Sequence, residues 1–315
     1  MSEKIYVEEN ANILLFLAHL VKDQFAIGEM LSKAEKVFEG YAPAKLEKDA
    51  KIFDPGAIGG VSYRESDVVS SRKATLQRMD EIEETAQPSA GSGAPESWEM
   101  QRDEIFEFDV AMKTVQILGQ MLKNFPGSLR GDLKARLTRE CYELGLRALA
   151  AVFAQVKEAR EELMVYMMEY LKANYRGLTP REMEELAMRN VVGFAHALSY
   201  AVVKHVSHSV GSGALTQTYK RVLEENGSAA ARLIDVSIKL DHEPEFPKVD
   251  ALRLGNQLKP NDFAASLLRY LVVNHFYMFH VDFPTRQSVC DQLGISYKKT
   301  ARITNRELRK LESSR

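Results

Sequence analysis

Arg189 and His196 stand seven residues apart in the run Arg-Asn-Val-Val-Gly-Phe-Ala-His, whose apolar spacing is helical. A histidine can transfer the 2′-hydroxyl proton of RNA while an arginine stabilises charge developing on a phosphorane. The same spacing equally suits an ordinary amphipathic helix. His205 and His208, three apart, have the spacing of a two-histidine metal half-site, yet no carboxylate lies near in sequence to complete it. His275, His280 and Asp282 belong to an aromatic run in which hydrogen-bonded core histidines are expected, and His19 in Leu-Ala-His-Leu reads the same way.

The remaining chemical signatures are absent. There is no GxxxxGK[ST] loop, and the glycines around Ser212 have no following lysine to reach a phosphate. GxSxG, HExxH and GxGxxG are missing too, so no cofactor and no metal is expected. Cys141 and Cys290 are far apart, which argues against a disulfide framework or structural zinc and fits a reducing cytoplasm. The Arg189 to His196 run resembles the RxxxxxxH signature of HEPN ribonucleases. That likeness implies an all-α fold in which Arg189 and His196 act together across a dimer.

Near the C-terminus, residues 285–296 followed by a basic stretch resemble a helix-turn-helix, with Gly294 at the turn and Ser296 capping a second helix. From Lys298 onward there are seven basic and two acidic residues, a net of +5. Lys298, Lys299, Arg302, Arg306 and Arg309 are therefore candidate phosphate contacts of a nucleic-acid binder working through residues 284–315. A helical hairpin with a solvated basic tail would carry the same residues.

The elements that must position these groups are helical throughout, and strand-like alternation is absent. Residues 11–38 form a helical start, glycines and prolines weaken the pattern over 41–69, and a short charged helix is expected at 70–84. The run around Gln87, Pro88 and Pro95 is rich in small and turn-forming residues and poor in apolar ones, so it reads as a flexible linker. This divides the chain into an N-terminal helical segment (1–84), a linker (85–97) and a C-terminal helical bundle (98–315). Within the bundle, seven to nine helices are expected. Residues 129–175 form one long helix or two broken near Gly145, and Thr179-Pro180-Arg181-Glu182 is a strong helix start. The fold class is all-α, a multi-helix bundle array.

The 315 residues, 45% apolar and 27% charged, suffice for a substantial core. Basic and acidic residues number 42 and 44, a net charge of -2, so bulk electrostatics favour neither nucleic acid nor an acidic membrane surface. The apolar run at 13–21 is too short to span a bilayer, and no membrane partner is expected.

Three segments together are similar to the region downstream of the nucleotide-binding module in bacterial STAND ATPases, which are related to NACHT and NB-ARC switches. The first is residues 9–23, ENANILLFLAHLVKD, with 41–46, YAPAKL. The second is residues 116–132, QILGQMLKNFPGSLRGD, continuing to YELGLR at 142–147. The third is residues 233–242, LIDVSIKLDH, with LVVNHFYMF at 271–279. The resemblance implies a non-catalytic regulatory, sensor or scaffold module in prokaryotic antiviral defence or signalling. Its partner would be an ATPase or effector module in the same or a neighbouring chain, and a homo-oligomer is compatible with it. The chain lacks the ATPase core itself.

Overall fold

The computed structural model describes residues 24–47, 49–52, 60–64, 72–73, 77, 99–124, 126–127, 129–175 and 177–298. The run at 13–21, the linker at 85–97 and the basic residues beyond 298 lie outside the described residues. Ten α-helices are described: α1 (Gln24–Lys36), α2 (Glu99–Asn124), α3 (Gly131–Glu158), α4 (Arg160–Asn174), α5 (Pro180–Val210), α6 (Thr216–Glu225), α7 (Ala229–His242), α8 (Lys248–Gln257), α9 (Asp262–Met278) and α10 (Phe283–Leu293). Two short strands, β1 (Ser62–Arg64) and β2 (Ser296–Lys298), and two short 3-10 helices, Asp49–Ile52 and Gly213–Leu215, complete the described elements. The protein is thus all-α, with a multi-helix array as its architecture.

The start of α5 follows from its first residues. The Thr179 hydroxyl oxygen accepts a hydrogen bond from the Glu182 amide, the Thr179 amide donates to the Glu182 carboxylate at 2.8 Å, and Pro180 occupies the first helical turn. Ser228, Asn261 and Asp282 cap α7, α9 and α10 in the same way. By length and apolar composition α5 is able to cross a bilayer, but 44% of its most apolar window is buried in the bundle. It is the central helix, packed on α2, α3, α4, α7 and α9.

Two close approaches bring α5 against its neighbours. Gly119 of α2 lies against the Ser209 backbone, and Gly145 of α3 lies under the Val206 side chain. Gly145 therefore does not break the long helical run at 129–175, as its type suggests; it lets α5 approach. The break falls at Ala159, whose φ of -83° and ψ of 10° leave the helical range and turn the chain into α4.

The N-terminal residues share this core. Arg147 of α3 is buried, donates to the carbonyls of Ala34 and Val37 at the end of α1, and pairs with buried Glu140 at 2.6 Å. The Ala44 amide donates to Leu146, the Ala230 amide to Lys45, and Asn261 Nδ2 to the Leu46 carbonyl. The described residues on both sides of the 85–97 segment thus belong to one apolar cluster.

Strands absent from the helical reading also occur. β1 and β2 pair in parallel, Tyr63 opposite Tyr297. Tyr63 is fully buried among Phe276, Tyr277 and Tyr297, with the Arg286 guanidinium 5.8 Å above its ring. Three residues per strand are too few for periodicity to register, and the pairing spans most of the chain. Gly294 stands at the turn after α10, as expected, in the left-handed region (φ 69°), but Ser296 opens a strand instead of capping a helix. Residues 299–315, where the second helix was expected, lie outside the described residues.

Candidate functional site

The ends of α2 and α3 and the neighbouring faces of α4 and α5 enclose an apolar groove of about 550 Å³. Phe108 of α2 and Val152 and Val156 of α3 form one wall, Leu163 and Met167 of α4 a second, and Val191, Phe194 and Leu198 of α5 a third. Its polar lining side chains are the uncharged amides of Gln155 and Asn190. Phe194 is 54% exposed at the edge, an unusual position for a large aromatic ring.

Helix α4 explains why the groove stays open. Its sequence, REELMVYMMEYLKAN, spreads large apolar side chains over more than half of the helix beside a charged side formed by Glu161, Glu162, Glu169 and Lys172, yet Leu171 is its one fully buried residue. Val165, Tyr166 and Tyr170 are 59%, 66% and 52% exposed. An apolar face this wide is normally enclosed by protein. Here α4 rests chiefly on α5, and contiguous apolar surface of this kind marks interaction sites. The paired methionines Met167 and Met168 add a flexible, polarisable surface that adapts to different partners.

Sequence reasoning missed this groove, although a signal existed. Residues 163–168 are apolar without interruption, so no single stripe accounts for them. Reading the helix within one long amphipathic run hid that excess.

The structure places Arg189 and His196 on α5 but does not gather them into a cleft. Arg189 is exposed, whereas His196 is 8% exposed and packs edge-on against Phe263 and Tyr270, with centroids 5.4 and 5.1 Å away. Burial pulls its pKa down to about 4, and its Nε2 has no hydrogen-bond partner. Lys298 is exposed at the end of β2; Lys299, Arg302, Arg306 and Arg309 lie outside the described residues.

The other histidines are held individually. His205 Nε2 bonds the Met112 carbonyl at 2.8 Å, while His208 is exposed nearby. His275 is buried between Phe246 and Phe279, but His280 is exposed, contrary to its expected core position. Among the described residues no group of three or more His, Cys, Asp or Glu side chains is arranged to hold a metal. Cys141 and Cys290 are both buried and free, and burial raises the pKa of each thiol.

A second, polar cleft of about 310 Å³ lies between α6, α7 and α8. Several of its charges are paired: Lys239 bridges Asp235 at 3.1 Å and Asp250 at 3.2 Å, and Arg253 also pairs with Asp250. Burial raises the Asp235 pKa against the opposing pull of Lys239. Such a network ties α7 to α8.

Comparisons with protein-family models, curated proteins and solved structures find no match. The functional reading therefore rests on the groove and on the sequence segments themselves.

Proposed function

We propose that this chain is a non-catalytic helical interaction module that regulates an associated ATPase by receiving one of its amphipathic helices in the α2–α5 groove. The observation that carries this reading is α4, a helix with a wide apolar face and only one fully buried residue, beside an open apolar groove. Helix walls, anchors such as Phe194 and Met167 and an uncharged interior suit the apolar face of a partner helix. The partner class comes from the STAND-like segments at 9–23 with 41–46, 116–132 with 142–147, and 233–242 with 271–279 alone, as does the setting in prokaryotic defence or signalling. Two free, buried thiols suit the reducing cytoplasm that such a partnership requires.

The mechanism is differential binding. If the partner helix is available in one state of the ATPase and packed away in the other, occupancy of the groove shifts the balance between those states. Co-expression with the STAND-type ATPase encoded nearest to this chain tests it. The two proteins are expected to elute together and the ATP turnover rate to change. Leu163→Asp and Met167→Asp place a charge in the groove and are expected to weaken the complex at least tenfold. An intact complex with both variants would refute the groove as the binding site.

A further inference from the structure

A second face of α4 lies away from the groove. Glu161, Val165, Met168 and Lys172 follow one another at steps of four, three and four, so they line one side of the helix. Glu161, Val165 and Lys172 are exposed and Met168 is half-buried. Neither Glu161 nor Lys172 has an ion-pair partner among the described residues.

Taken from either end, the order along this side is charge, apolar, apolar, opposite charge. That order complements its own reversal. A two-fold axis between Tyr166 and Met167 would set two α4 helices antiparallel, with Glu161 facing the partner's Lys172 and Val165 facing the partner's Met168. The helix dipoles would also oppose each other.

We infer that this chain forms a homodimer through antiparallel pairing of α4 along the Glu161, Val165, Met168 and Lys172 face. The energetics of α4 support a second copy as the occupant. The helix has 15 residues, no side-chain cap at its N-terminus and one fully buried side chain, and helices this short are marginal without packing. A lipid surface fits poorly because Glu158, Glu161, Glu162 and Glu169 surround the apolar residues and would face anionic headgroups. The interface is small and leaves the groove free, so it does not depend on the groove's partner.

Sedimentation velocity on the full chain, without any ATPase, tests the inference over roughly a hundredfold range of concentration. A reversible monomer–dimer equilibrium is expected. Lys172→Glu creates two like-charge contacts and should raise the dissociation constant about tenfold, whereas Glu161→Lys combined with Lys172→Glu should restore it. Leu163→Asp, in the groove, should leave dimerisation unchanged while weakening the ATPase complex. Mixed Val165→Cys and Met168→Cys copies should cross-link on mild oxidation more than either copy alone, since both native cysteines are buried. A chain monomeric throughout would overturn the inference, as would a dimer indifferent to Lys172→Glu or one lost with Leu163→Asp.

Discussion

His196 shows how burial decides what a titratable side chain does. Desolvation among Phe263 and Tyr270 holds its folded pKa near 4, against an ordinary value of 6.5. Between these values the unfolded chain binds the proton and the folded chain does not, so stability falls as pH drops through that window. Replacing His196 with Phe keeps the packed ring and removes the titration. We expect His196→Phe to match wild type within about 1 kcal/mol near pH 8 and to retain roughly 1 kcal/mol more of its stability near pH 5. Urea unfolding at the two pH values measures this, and parallel losses in both proteins would contradict it. The sequence shows that Arg189 and His196 share a helix, but not that one faces solvent and the other the α9 rings. Exposure depends on neighbours far along the chain.

At the scale of the elements, two glycines one might treat alike should respond in opposite ways. A Cβ at Gly119 would meet the Ser209 backbone, which cannot rotate aside, whereas nothing lies within 4 Å of the corresponding position at Gly193. Gly119→Ala is expected to separate α2 from α5 and cost about 1–3 kcal/mol. Gly193→Ala should stabilise α5 by about 0.5–1 kcal/mol through helix propensity. Thermal unfolding of both variants checks the pair of signs, and equal effects would contradict the packing.

Local chemistry made the α5 start legible, because Thr179, Pro180 and Glu182 act on one another within four residues. The same holds for Ser228 at α7. The turn at Ala159 and the pairing of Tyr63 with Tyr297 were not legible. The former replaces no helix-forming residue with a breaker, and the latter joins strands separated by most of the chain. The groove falls in between: the apolar excess of α4 is visible at 163–168, but its one buried residue is not.

For the molecule as a whole, the hydrogen bonds from Arg147 to the end of α1, and those of Lys45 and Leu46 with Ala230 and Asn261, fasten residues 24–47 to the bundle. Against that shared core, α4 stands out as a helix held mainly from one side. Elements with few buried contacts open most readily, and ligand-binding segments are commonly drawn from them. A regulatory module of this design would keep a firm scaffold around α5 and spend its adaptability at α4.

The decisive measurement is hydrogen–deuterium exchange of the chain alone and mixed with the proposed ATPase partner. At concentrations low enough to keep the chain monomeric, rapid exchange is expected across 160–174, with clear protection there and around Phe194 once the ATPase is added. A stable complex that leaves exchange in α4 unchanged and protects another surface would contradict it.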